Sequence, residues 1–237
     1  MALLDKRDPP IRAVQWGQGV WMRRALPPAT NPFEDIARPE DWPLLHSAVR
    51  KTSPQFMESL GLLDLIPAER RPGAGSGTLM APFTHVSTDR PGRFSDGRYG
   101  LLSVMSDFET AVCEAGHQHS LFMAATDQPP GWSCWLRALS LPVSARLHVL
   151  RSDASASAGP LVPGEYTAGQ TLAADLRREG ADGLLYPSSQ GPGQGAALFY
   201  PDLAGPVAPG RHLKMHWNGA SVDLVRDATQ GMMYRLG

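Results

Sequence analysis

Three side chains, widely separated along the chain, carry groups that could do chemistry. Arg93 lies in Pro91-Gly92-Arg93-Phe94-Ser95-Asp96-Gly97, Glu114 in Thr110-Ala111-Val112-Cys113-Glu114, and Ser188 in Tyr186-Pro187-Ser188-Ser189-Gln190. Together they offer a forked cation, a carboxylate and a hydroxyl. On residue types alone Glu114 reads as a solvated helix residue and Arg93 as a surface turn residue, and spacing does not overturn that. Glu114 shares a helical face with Thr110, His117 and Leu121, which is partly apolar.

Other chemistries fare worse. His117 and His119 follow Glu114, but two histidines two apart on a helix point to different faces, and no Cys or carboxylate set completes a coordination sphere. No metal is expected. The clusters Gly73-Ala74-Gly75-Ser76-Gly77 and Gly191-Pro192-Gly193-Gln194-Gly195 invite a phosphate-loop reading. A dinucleotide fingerprint needs a strand before it and a helix after it, and neither cluster has both. Both read as loops, the second leaving open a close approach to a ligand. Ser188 lacks the G-x-S-x-G setting of a hydrolase nucleophile.

The elements that must position these groups follow from pattern and punctuation. Residues 1–40 read as irregular, with Pro9-Pro10 and Pro27-Pro28 blocking regular structure, and Trp42 to Leu63 as two short helices broken near Pro54. Thr78 to Val86 and Tyr99 to Met105 read as strands. Ser106-Asp107-Phe108-Glu109 reads as a capping box opening a helix to about Ala125. Trp135 to Leu141, Ala145 to Arg151, Gly183 to Tyr186 and Ala196 to Tyr200 read as strands, and Thr167 to Glu179 as a helix. Arg211 to Trp217 and Ala220 to Arg226 form a hairpin about Asn218-Gly219. The sum is α+β, a mixed or antiparallel β core with flanking helices and no βαβ alternation.

The 237 residues include 42% hydrophobic and 19% charged, a globular balance able to bury a core. Lys and Arg number 22 against 23 Asp and Glu, and at a net charge of −1 no direct nucleic-acid partner is expected, although a local basic patch is compatible with the scattered arginines. Cys113 and Cys134 lie in apolar stretches and read as buried small hydrophobes. Without a signal-peptide pattern at Met1 to Arg12, and without an uncharged apolar run near the ~18 residues of a membrane span, a soluble cytoplasmic protein is expected.

Two groups of motifs then change the weighing. Gly92-Arg93-Phe94-Ser95-Asp96-Gly97, Tyr99-Gly100 and Thr110-Ala111-Val112-Cys113-Glu114 resemble the first half of the RES domain. Leu176-Arg177, Gly180-Ala181-Asp182-Gly183-Leu184-Leu185-Tyr186-Pro187-Ser188, Ala197-Leu198-Phe199 and Pro201 resemble the second half. The resemblance, to the RES-domain toxins of bacterial toxin–antitoxin pairs, runs from about Thr78 to about Trp217. It divides the chain into a largely helical or irregular N-terminal extension, 1–75, and a RES catalytic domain, 76–237.

What the resemblance implies is an ADP-ribosyltransferase-like RES fold that consumes NAD at its nicotinamide–ribose bond, passing ADP-ribose to water, phosphate or a protein. It implies Arg93, Glu114 and Ser188 as the catalytic set, and a cognate antitoxin of helix-turn-helix type covering the site. Glu114 would stabilise ribose oxocarbenium character, Arg93 would fork onto the pyrophosphate, and Ser188 would hold the nicotinamide-side ribose or the Glu114 carboxylate. Three positions depart from the family pattern. Ser103 stands where many members carry a Tyr, with Tyr99 the candidate substitute. His85 stands at an upstream basic position, and Gln190 replaces the usual Arg after the Ser motif. His85, Tyr99, Ser103 and Gln190 are thus expected around the dinucleotide with Arg93 and Ser188. The alternative is a catalytically inactive RES-fold binding module.

Overall fold

A computed structural model of the chain describes residues 9–25, 38–41, 44, 63–72, 77–89, 91–151, 159–162 and 164–236. The helices expected between Trp42 and Leu63, and most of the first Gly cluster, lie outside the described residues. Among the described residues eight strands make one sheet flanked by three helices: α1 (Gly77–Thr84), α2 (Phe108–Ala124) and α3 (Thr167–Arg178).

The strands are β1 (Ile11–Arg24), β2 (Leu102–Met105), β3 (Gly131–Val149), β4 (Gly183–Pro187), β5 (Gln194–Leu198), β6 (His212–Trp217), β7 (Val222–Asp227) and β8 (Met232–Arg235). Their order is β1-β2-β5-β4-β3-β6-β7-β8, and β1 also pairs with β3. Five strands, β1-β2-β5-β4-β3, therefore close into a circuit, while β6, β7 and β8 extend from the first half of β3. Every pairing is antiparallel except β3 with β4.

The long β1–β3 ladder corrects two expectations at once. Residues 11–24 form a strand, not an irregular segment, because they pair with β3 from Ile11↔His148 to Arg24↔Leu136. That is a cross-strand contribution that a propensity reading of Gly17, Gly19 and the flanking prolines does not register. Likewise β3 is one strand where two were expected around Pro142. The register slips between Trp16 and Gly19, opposite Leu141 and Val143, so the residue without an N–H falls at a bulge where no ladder bond is required of it. Gly19 lets β1 lie against Val104; a Cβ there would collide with that side chain.

The third correction is α1, expected as a strand. Leu79 and Phe83, four apart, are buried at 4% and 1% exposure, so helical spacing places both in the core and outweighs the preferences of Thr and Phe. Around the main core of Leu102, Val104, Leu141, Leu147, Leu184, Leu198 and Phe199 sits a smaller one, in which Val112 of α2 packs on Leu136, Leu213, Met215 and Val225. The hairpin turns at Asn218, whose Oδ1 accepts from the Ala220 and Ser221 amides at 2.8 and 2.9 Å, with Gly219 at φ +101°. Strand β8, not expected from the sequence, edges the sheet beyond β7. No helix among the described residues is long and apolar enough to cross a membrane.

Candidate active site

A cleft of about 1140 Å³ opens over β1 and β2, between the 85–100 segment and α2. It lies above the ~300–1000 Å³ common for ligand clefts. Its wall includes His85, Arg93, Tyr99, Ser103, Glu114 and Tyr186. Among the described residues no group of three His, Cys, Asp or Glu side chains could hold a metal ion.

Glu114 reaches the cleft because of how α2 begins. The capping residue is Asp107, not Ser106. Its carboxylate accepts from the Thr110 amide at 2.8 Å and from the Ser106 and Thr110 hydroxyls at 2.7 and 2.9 Å. Burial alone would raise the Asp107 pKa, but these three donors hold it below the ordinary carboxylate value. Glu109, the expected partner in a capping box, is exposed. From this start, Ala111, Glu114, Ala115 and Gln118 share the cleft-facing side of the helix, and the two alanines leave room in front of the carboxylate.

Ser188 meets that carboxylate from behind. Its Oγ donates to Glu114 Oε1 at 2.6 Å, and accepts from the amides of Gln190 at 3.1 Å and Gly191 at 2.9 Å. All of the hydroxyl's capacity is thereby directed at fixing one carboxylate, and Ser188 is not on the cleft wall. Gln190 turns away as well, its Nε2 donating to Ser189 Oγ at 3.1 Å.

The second Gly cluster serves this same contact. The Gly193 amide donates to Thr110 Oγ1 at 2.8 Å and the Gln194 amide to Ser106 Oγ at 3.0 Å. A Cβ at Gly191 would sit 2.7 Å from the Thr110 Cα, and one at Gly193 would collide with Asp107 and Ser106. What these glycines approach is the first turn of α2, not a phosphate.

Arg93 also lines the cleft, on a loop pinned by α3 and by aromatic neighbours. Gln170 Nε2 donates to the Gly92 carbonyl at 2.9 Å, and Gly169 admits the Arg93 carbonyl where any Cβ would clash. Tyr99 holds the loop from beneath: its hydroxyl donates to the Phe94 carbonyl at 2.6 Å, and the Arg177 guanidinium lies 5.0 Å over its ring. Burial, with Asp96 adding to it, pushes the Tyr99 phenol up to about 12 against the opposing pull of Arg177. Tyr99 is thus engaged in shaping the loop on both its ring and its hydroxyl. Among the described residues, no carboxylate lies within ion-pair distance of Arg93.

His85 stands exposed just past α1, its Nδ1 within 3.1 Å of Thr84 Oγ1 and 3.3 Å of the Ala81 carbonyl. Ser103 faces the cleft from β2. Tyr186, two residues before Ser188, also lines the cleft, and nothing in its local sequence marks it as a site residue. Its ring lies 5.0 Å from Phe94 and over Gly195, where a Cβ would collide with it. Burial pushes its phenol up to about 12, Glu114 adds to that, and Arg93 and the Ser103 side chain oppose it. The ring therefore lies near Glu114, Arg93 and Ser103.

Residues 67–218 match the RES domain family. No curated protein matches the chain. Among solved structures, the chain is similar to one in the crystal structure of the M. tuberculosis MbcT-MbcA toxin–antitoxin complex, at 10% identity over 86% of each chain with a TM-score of 0.43. Since the family match spans more than half of its length, taking in Arg93, Glu114 and Ser188 alike, the chain belongs to the RES domain family.

Proposed function

We propose that the chain cleaves NAD⁺ at its nicotinamide–ribose bond and acts as the toxin of a toxin–antitoxin pair. The observation that carries this reading is the Glu114 carboxylate, held by Ser188 at 2.6 Å and presented to a cleft of about 1140 Å³ that the Arg93 guanidinium also lines. As the C1′–N bond breaks, nicotinamide leaves neutral with the bonding pair, and positive charge develops on the ribose. Glu114 stabilises that charge and hydrogen-bonds the ribose hydroxyls or the incoming nucleophile. Arg93 forks onto the pyrophosphate and fixes its register. With water as acceptor, the products are nicotinamide, ADP-ribose and one proton. Ser188 is a positioning residue, while His85 and Ser103 border the dinucleotide.

Residues 76–237 carry this machinery, and the segment before them contributes β1 to the sheet. A helix-turn-helix antitoxin covering the cleft would silence it by excluding NAD⁺. The departure at Ser103 favours a second reading, an inactive binding module, but Tyr186 supplies an aromatic ring beside that position.

The test is release of nicotinamide from NAD⁺ labelled in its adenosine half, with and without phosphate and a cell lysate. Free ADP-ribose, its phosphate ester or a labelled protein band identifies the acceptor. Wild type should release nicotinamide and Glu114→Gln should not. Equal, negligible release by both, with equal growth of cells expressing either, would leave only the binding module.

A further inference from the structure

Strands β3, β6, β7 and β8 turn one face to the smaller core and the other outward, and the outward face is unlike the rest of the chain. Its rows are fixed by register. Trp135 pairs with Lys214, Lys214 with Arg226 and Arg226 with Met233, one line across four strands. A second line runs through Trp132, His216, Leu224 and Arg235. Trp132 and Trp135 are three apart and would face opposite ways in a regular strand. The register shift between them sets Ser133 and Cys134 of β3 against Met215 of β6, so both indoles emerge on the same side. Beyond Trp135 on this side lies Arg137, opposite Arg23 of β1.

Positive charge predominates on this face. Arg23, Arg137, Lys214, Arg226 and Arg235 contribute five cations in a chain whose overall charge is −1. Among the described residues none of these five lies within ion-pair distance of a carboxylate. The nearby carboxylate of Asp223 is taken by His216 Nδ1 at 2.7 Å. Arg137 donates instead to a ring nitrogen of His212 at 3.0 Å, and the Lys214 ammonium lies 5.3 Å from the Trp135 ring centroid. Trp132 and Trp135 remain 39% and 36% exposed, and Met233 54%.

Like charges gathered on one sheet face repel, and exposed indoles cost solvation. Both costs turn favourable when a chain of phosphates and stacking rings lies across the face. Guanidiniums fork onto phosphates, while bases of any identity stack on tryptophan. We propose that this face binds single-stranded nucleic acid without sequence preference, at a site separate from the cleft. The paired tryptophans favour this occupant over an acidic polypeptide, which would need the cations but has no planar bases to lay on the rings.

The experiment is fluorescence anisotropy of a fluorescein-labelled oligothymidylate, about 20 nucleotides long, titrated with the full-length protein at several salt concentrations. Saturable binding is expected, with log K falling linearly in log salt by roughly 0.7 for each phosphate neutralised. Trp135→Ala should weaken it about 10-fold by loss of stacking. Arg226→Gln should weaken it less and lower the salt slope by about one. Both side chains lie on the surface, and matching far-UV circular dichroism spectra establish that the variants are folded. Nicotinamide release by both should equal wild type. No binding at low salt would overturn the proposal. So would binding insensitive to both substitutions, or displacement of the oligonucleotide by equimolar polyglutamate, which would mark a surface for acidic polypeptides.

Discussion

Replacing Ser188 with Ala removes one hydroxyl with three partners, and the consequences separate along different observables. The bond from Ser188 Oγ to Glu114 Oε1, 2.6 Å long, ends on a carboxylate. Hydrogen bonds to charged groups contribute about 1.5–3 kcal/mol. If that free energy is realised in holding Glu114 toward the ribose, kcat for nicotinamide release falls about 10- to 150-fold. Because Ser188 stands behind Glu114 and not on the cleft wall, KM for NAD⁺ should change by less than about 3-fold, the pattern of an interaction that matters in the transition state and not in binding. The substitution also strips the Gln190 and Gly191 amides of their acceptor. Leaving them partly buried and unpaired costs about 1–3 kcal/mol, or roughly 2–4 °C in Tm for each kcal/mol in a chain of this size. Steady-state kinetics with a coupled nicotinamide assay and a thermal melt measure all three, and Ser188→Thr, which keeps the hydroxyl, should recover most of kcat. A raised KM with unchanged kcat would refute the positioning role and move Ser188 into direct contact with the ribose.

Four further expectations follow from the same geometry. Glu114→Gln should lower kcat by at least about 100-fold while NAD⁺ still binds, as isothermal titration would register; retained turnover would remove Glu114 from the chemistry. Arg93→Lys should raise KM about 10-fold or more, because a point charge replaces a bidentate fork, and an unchanged KM would place the pyrophosphate elsewhere. Gly169→Ala should lower Tm and activity together, since the added Cβ collides with the Arg93 carbonyl; a neutral result would mean the loop has room to shift. Tyr99 and Tyr186, both raised to about 12, stay protonated in the folded chain after unfolded tyrosines begin to ionise near pH 10. The unfolded state binds fewer protons there, so stability should fall as pH rises from about 10 to about 12, and less steeply in Tyr186→Phe, as denaturant midpoints across that range would record.

Much of the site was legible because its parts are local. Arg93 in a Gly-rich turn, Glu114 on a helix and Ser188 after a strand all sit where the residue patterns placed them, and α2, α3, β4 and the β6–β7 hairpin follow the periodicities that predict them. Those elements are set by contacts between neighbours in sequence: caps, turn residues, an apolar stripe. What only the tertiary structure decided depends on partners far along the chain. The strand character of residues 11–24 comes from β3, more than a hundred residues on, and α1 is helical because Leu79 and Phe83 must both reach the core. The bond from Ser188 to Glu114 spans 74 positions. A bulge, and not the alternation of residues, puts Trp132 and Trp135 on one face. Even the Gly191–Gly195 cluster drew its meaning from distance. A glycine states that something comes close, but only packing says whether that is a phosphate or the first turn of a helix.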